Sequence, residues 1–126
     1  LGVKENGNVS VFNSCNFGSV RGPLRQISGE AVNDDPSSNS KFTVDFNLPT
    51  KGKYWVIGLA SDYRYAVVSD PSKRSLYILS KTPLLDAASY QEAVAIAARQ
   101  VDISKLQITE QAGCSYPPIV LRSAKR

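Results

Sequence analysis

The side chains able to do chemistry are few, and their types decide more than their spacing. The 126-residue chain has no histidine and two cysteines, Cys15 and Cys114, far apart in sequence. Without imidazole there is no Ser-His-Asp or Cys-His nucleophile pair and no metal site built on histidine. The cysteines form no C-x-x-C, which argues against zinc and against thioredoxin-type redox chemistry. A catalytic carboxyl or thiol would need a shifted pKa inside a cavity. Glu30 and Asp45 instead fall on the polar side of alternating segments, and Cys15 falls at the end of one. No enzyme, no metal and no cofactor are expected from these residues. Asn8-Val9-Ser10 is a glycosylation sequon at Asn8. With the cysteines, it points to a secreted or extracytoplasmic protein.

Composition narrows the partners. The formal net charge is +4, with a pI near 9.2. The basic residues are scattered: Lys51 and Lys53, Lys73 and Arg74, Arg99, and only in the tail a cluster of Arg122, Lys125 and Arg126. A nucleic-acid reader would carry a basic stripe interleaved with aromatics, so no nucleic-acid partner is expected. Hydrophobic residues make up 42% and charged residues 21%, an ordinary globular balance. No apolar run approaches the roughly 20 residues of a spanning helix, and no signal peptide is present. Methionine is absent, so Leu1 is not a translation start, and a processed product or part of a longer chain is expected.

Period-two alternation dominates the first eighty or so residues and places most of the elements. Asn6-Gly7 is a hairpin signal, since both central positions of a type I′ turn need positive φ; it joins a stub at Leu1–Lys4 to a strand at Asn8–Cys15, with Val9 and Val11 on one face. Gln26–Asn33 puts Ile27, Gly29 and Ala31 together. In Lys41–Asn47, Phe42, Val44 and Phe46 face one way and Lys41, Thr43 and Asp45 the other. Three further strands, Lys53–Ala60, Tyr63–Ser69 and Ser75–Lys81, are apolar on both faces: Tyr54 and Val56 oppose Trp55 and Ile57, while Tyr77 and Leu79 oppose Leu76 and Ile78. A sheet buried on both faces needs a cover. Asp86–Val101 supplies one, a helix with Asp86 as N-cap and Tyr90, Val94, Ala97 and Val101 at helical spacing. A last strand is expected at Lys105–Glu110, and an extended tail after Cys114. This order of hairpins, one helix and one strand suggests an all-β, antiparallel up-and-down meander curled into a barrel.

In that order, the residues resemble the lipocalin family, in its bacterial and apolipoprotein-D-like branch. The resemblance rests on Asn6-Gly7-Asn8-Val9-Ser10-Val11-Phe12-Asn13, then Ile27-Ser28-Gly29-Glu30-Ala31. Tyr54-Trp55-Val56-Ile57 leads into Ser61-Asp62-Tyr63-Arg64-Tyr65-Ala66-Val67-Val68, and Tyr77-Ile78-Leu79-Ser80-Lys81-Thr82-Pro83 stands directly before the helix. It implies a β-barrel over residues 1–114, with the 86–101 helix packed outside and residues 115–126 as an extended basic tail. Two departures stand out. The family's opening Gly-x-Trp strand is missing, so the resemblance implies that one strand and most of another lie outside this sequence. They would be supplied by an N-terminal segment or a second chain, unless the barrel closes as a homo-oligomer. Lys81 stands where the family has an arginine stacked on that tryptophan, which weakens any cation–π contact.

The resemblance implies that the barrel binds and carries a small hydrophobic molecule, a lipid or a pigment such as a carotenoid, bilin or retinoid. Tyr77 and Leu79 would point into the lumen with Tyr54 and Val56, while Phe42, Val44 and Phe46 supply the opposite wall. Each of these residues could equally be core packing. Trp55 is expected on the outside, beneath the helix. Cys15 and Cys114 would meet at one rim as a disulfide, unless Cys114 pairs with a cysteine of the missing segment. Two other readings remain: an interaction protein using the loops Phe17–Arg25 and Asn33–Ser40, and a lipocalin-type isomerase.

Overall fold

The computed structural model describes residues 2–3, 5–109 and 111. Among them are seven strands followed by one helix: β1 (Gly2–Val3), β2 (Val9–Asn16), β3 (Leu24–Asn33), β4 (Lys41–Asp45), β5 (Gly52–Leu59), β6 (Tyr65–Ser69), β7 (Leu76–Ser80) and α1 (Ala87–Ala98). The architecture is all-β and antiparallel, with α1 packed on the outer face of its sheet, as the family resemblance implies. Among the described residues no helix is long and apolar enough to cross a membrane. The chain forms two compact units, Leu1–Gly52 with Glu110–Arg126, and Lys53–Thr109.

In the first unit, β1, β2, β3 and β4 pair antiparallel with their sequence neighbours. Gly7 takes φ +85° in the β1–β2 turn but Asn6 does not share a positive φ, and with Val3 paired to Val9 the connection is longer than the two-residue type I′ turn expected from Asn-Gly. The Asn8 N–H donates to Asn6 Oδ1 at 3.0 Å and tightens that turn. Registers Val9↔Ala31, Val11↔Gly29 and Ala31↔Val44 put these residues on one face. Gly29 is needed there: a Cβ would lie 2.7 Å from Phe46 Cδ1 and 2.3 Å from the Asp45 carbonyl oxygen. Glu30 and Asp45 lie directly opposite each other on the other face. That pairing of like charges is eased by Asn8 Nδ2, which donates to Glu30 Oε2 at 3.2 Å, and by Lys51 Nζ, 3.6 Å from Asp45 Oδ2.

In the second unit, β5, β6 and β7 pair antiparallel and α1 covers one of their faces. Ala60, Tyr65, Val67, Ala93 and Ala97 form its buried core, with Ile57, Leu76, Ile78, Leu85, Ile96 and Ile103 packed around them. A register shift between Val56 and Gly58 turns both Ile57 and Gly58 towards the helix side. Gly58 is the close-approach point, since a Cβ there would stand 2.7 Å from Ile96 Cγ2. The helix starts where Asp86 Oδ2 accepts the Ser89 N–H at 3.0 Å, as its N-cap reading requires.

Two expectations are corrected. The buried stripe of α1 is Ser89, Ala93 and Ala97, continued by Val101 past its end, whereas Tyr90 and Val94 are only half-buried. The small Ala93 and Ala97 lie fully buried against the sheet, and the one large side chain beside them, Ile96, is received where Gly58 has none. Residues 105–109 form no strand. Alternation of Leu106 and Ile108 yields a strand only with a ladder partner, and the Leu106 N–H bonds instead to the Ile103 carbonyl at 3.1 Å. Glu110 and Cys114, with the tail 115–126, lie outside the described residues.

Gly58→Ala is expected to destabilise the protein by about 1–3 kcal/mol in urea unfolding, because the β-branched methyl of Ile96 cannot rotate away cheaply. In an Ile96→Ala background the same Gly58→Ala change should cost less, since the two positions touch. An unchanged midpoint for Gly58→Ala would refute the close-approach reading.

Candidate functional site

The registers of β5, β6 and β7 sort the second unit into two faces. Val56 lies opposite Val68 and Val68 opposite Tyr77; beyond the register shift, Leu59 lies opposite Ala66 and Ala66 opposite Leu79. Directly opposed residues share a face, so Val56, Leu59, Ala66, Val68, Tyr77 and Leu79 stand together, with Tyr54 two residues before Val56. Trp55, Ser69, Leu76, Val67 and Ile78 occupy the helix face. The four second-unit residues singled out from the sequence, Tyr54, Val56, Tyr77 and Leu79, are therefore brought together, and Trp55 lies on the helix side as expected. On the same face, sequence reasoning did not single out Val68 and Leu59. Val68 was legible from its alternation with Ala66. Leu59 was not, because the bulge that reverses its direction leaves no mark in the apolar pattern.

This second face is apolar and open. Leu59 is 51%, Tyr77 59% and Leu79 42% exposed, while Val68 beneath them is buried. In the first unit, Phe42, Val44 and Phe46 share a face with Val9, Val11, Ile27 and Ala31. Val44 and Ala31 are buried there, and Phe42 and Phe46 are half-buried.

Polar groups hold the frame. Arg64, in the turn before β6, donates from Nε to Ser89 Oγ at 2.7 Å and from Nη2 to Glu92 Oε2 at 3.1 Å, while its Nη1 reaches Asp62 Oδ2 at 3.2 Å. The Tyr65 hydroxyl also donates to Glu92, at 3.3 Å. Together they fasten α1 to the start of β6. Sequence reading placed Arg64 in a family block without assigning it this role.

The carboxylates whose titration is displaced are all held below their ordinary range. Hydroxyls of Ser37 and Ser38 lower Asp35, the Arg64 N–H lowers Asp62, Ser89 lowers Asp86, and the Ser104 N–H lowers Asp102. Hydroxyls of Ser72 and Ser75 take Asp70 from 3.8 to about 2. Each closes a turn or caps the helix. Burial pushes the Tyr54 phenol above its usual value of 10, so this polar group of the apolar face stays neutral.

Asn8, the sequon residue, is half-buried. Its Nδ2 is bonded to Glu30, and its Oδ1 accepts the Asn33 N–H at 3.3 Å. Both ends of its side-chain amide thus tie the start of β2 to β3. Cys15 is exposed on β2, opposite Arg25, and its expected partner Cys114 lies outside the described residues. Lys81 is exposed, and its backbone N–H donates to the Arg64 carbonyl at 3.1 Å.

Comparison with known proteins agrees with this frame. A family model described as a lipocalin-like domain matches residues 2–111. "Outer membrane lipoprotein Blc" of Escherichia coli is 33% identical over 112 residues, covering 88% of this chain and 63% of the relative. "Temperature-induced lipocalin-1" of Arabidopsis thaliana is 34% identical over 118 residues, covering 86% of this chain and 62% of the relative. "Apolipoprotein D" of Rattus norvegicus is 31% identical over 125 residues, with 89% and 62% covered. The chain thus spans under two thirds of the length of these relatives.

Because the Asp70 carboxylate titrates at about 2 in the fold against 3.8 unperturbed, its contribution to stability is present above pH 3.8 and is lost as pH falls through about 2. Asp70→Asn is expected to flatten that part of the acid-unfolding curve. If wild type and variant lose stability in parallel there, the Ser72–Asp70–Ser75 bonds contribute nothing.

Proposed function

The chain belongs to the lipocalin-like family, and from that premise we propose that it binds a small hydrophobic molecule against the apolar face of β5, β6 and β7. One observation carries this reading: these strands are apolar on both faces, α1 covers one, and on the other Leu59, Tyr77 and Leu79 remain exposed. Covering such a surface with a ligand releases the water it orders. The phenols of Tyr54 and Tyr77 give it polar atoms that can orient a bound molecule. Phe42, Val44 and Phe46 form an apolar face in the first unit and are proposed to contribute to the same binding function. The ligand class is a lipid or a pigment such as a carotenoid, bilin or retinoid; a visible absorption band in the native protein would select the pigments.

Binding is favoured over catalysis by the electrostatics. The displaced carboxylates are lowered by turn and cap hydrogen bonds, the opposite of what a general acid at neutral pH requires. We place the protein outside the cytoplasm, in keeping with the printed name of the Escherichia coli relative, an outer membrane lipoprotein. A Cys15–Cys114 disulfide belongs to this proposal and would close a long loop. Intact mass under non-reducing conditions tests it, and two free thiols would sink it.

Titration with the fluorescent probe anilinonaphthalene sulfonate tests the face. Tyr77→Glu and Leu79→Glu are expected to weaken binding about tenfold or more, since each removes apolar contact and puts a charge in its place. Lys73→Gln, in the exposed β6–β7 turn, should bind as wild type does. Equal affinity in all four proteins would overturn the assignment.

A further inference from the structure

The tip of the β2–β3 hairpin carries exposed apolar side chains that the ligand face does not use. Phe17 is 62%, Phe12 58% and Leu24 52% exposed. Registers Phe12↔Ser28 and Asn16↔Leu24 put Phe12 and Leu24 on the same face of the hairpin, the one turned away from Phe42 and Val44. From Val9 to Gly29 there is no aspartate or glutamate, and the charged side chains are Arg21 and Arg25. Arg25 holds its guanidinium 4.9 Å from the centre of the Phe17 ring, so a cation and an aromatic ring are already assembled at the tip.

The backbone of the tip is closed on itself. The Phe17 N–H donates to the Pro23 carbonyl at 2.8 Å and the Gly22 N–H to the Ser19 carbonyl at 3.0 Å. Asn16 Nδ2 donates to the Val20 carbonyl at 2.6 Å. Gly22 lies so close to the Phe17 carbonyl oxygen that a Cβ would sit 1.7 Å from it, and Gly18 takes φ +81°. Polar backbone groups bonded to one another lose little when water is withdrawn from them. The loop is therefore compact and preorganised, apolar at its end, and positively charged.

We propose that this tip docks on an anionic phospholipid surface. Phe17 and Leu24 would enter the boundary between headgroups and acyl chains, while Arg21 and Arg25 would stay with the phosphates. The charge of the tip distinguishes this occupant from a second copy of the chain. Two such tips brought together would set arginine against arginine with no acid between them, whereas an anionic bilayer supplies the opposite charge. The inference is independent of the ligand reading, because it uses none of the residues on the β5–β7 face.

Co-sedimentation of the full chain with vesicles tests it. Vesicles of phosphatidylcholine and phosphatidylserine are expected to bind the protein, vesicles of phosphatidylcholine alone to bind it far less, and added salt to release it. Phe17→Ser should weaken binding about tenfold or more. Arg21→Gln with Arg25→Gln should weaken it by a similar factor, about fivefold for each charge removed. Circular dichroism and anilinonaphthalene sulfonate binding of these variants should match wild type, which separates a lost docking tip from a lost fold or ligand site. Binding that ignores the tip substitutions would overturn the proposal. So would equal binding to neutral vesicles, or no vesicle binding together with self-association that Phe17→Ser abolishes.

Discussion

Everything in the second unit depends on one close contact, the seating of α1 on the outer face of β5, β6 and β7. Gly58 offers no side chain where Ile96 comes down, and Ala93 and Ala97 are fully buried beside Val67. Because Ile57 and Gly58 both turn to the helix, the bulge widens the covered face by one residue and leaves Leu59 on the other. The contact thus decides which residues are core and which remain available. With larger residues in place of Ala93 and Ala97, or a side chain at Gly58 beneath Ile96, the helix would stand off the sheet. Arg64 fixes the rotation of that helix by reaching Ser89 and Glu92. These bonds are partly exposed, so their worth lies in register more than in stability.

Covering one apolar face makes the other conspicuous. A sheet that is apolar on both sides is ordinary when both are covered. Here Leu59, Tyr77 and Leu79 retain substantial exposure, and exposed apolar surface of this kind marks interaction sites more often than idle surface. The displaced acidic groups, by contrast, are spent on turns and on the helix cap. Their hydroxyl and amide partners stabilise the ionised form, which suits a scaffold and not proton transfer. The hairpin tip follows a different logic: its apolar side chains accompany arginines and a self-bonded backbone, as suits an interface between water and lipid.

Much of this was legible from local signals. Asn6-Gly7 announced its turn, Asp86 its cap, and the alternation of Phe42, Val44 and Phe46 its face, because each depends on neighbours one to three residues away. The double apolarity of Lys53–Lys81 required a cover, and the helical segment that follows supplied it. What escaped depends on contacts between elements. The inward stripe Ser89–Ala93–Ala97 looks less hydrophobic than Tyr90–Val94, and only the approach distance at Gly58 selects it. Leu106 and Ile108 alternate as a strand would, yet pairing is a property of two segments and no window of sequence contains both. Leu59 was hidden by a bulge that period-two reading cannot register. That Asn8 also ties the start of β2 to Glu30 and Asn33 could not be read from its sequon.

The ligand is proposed to lie on the face of β5, β6 and β7 opposite α1. Methyl-resolved NMR during titration with a long-chain fatty acid tests it most directly, since the two faces carry different methyl groups on the same strands. Shifts are expected at Val56, Leu59, Val68 and Leu79, with Val67, Ile78 and Ile96 left unmoved. Shifts confined to the helix-side methyls, or none on either face with this ligand and with a retinoid alike, would contradict it.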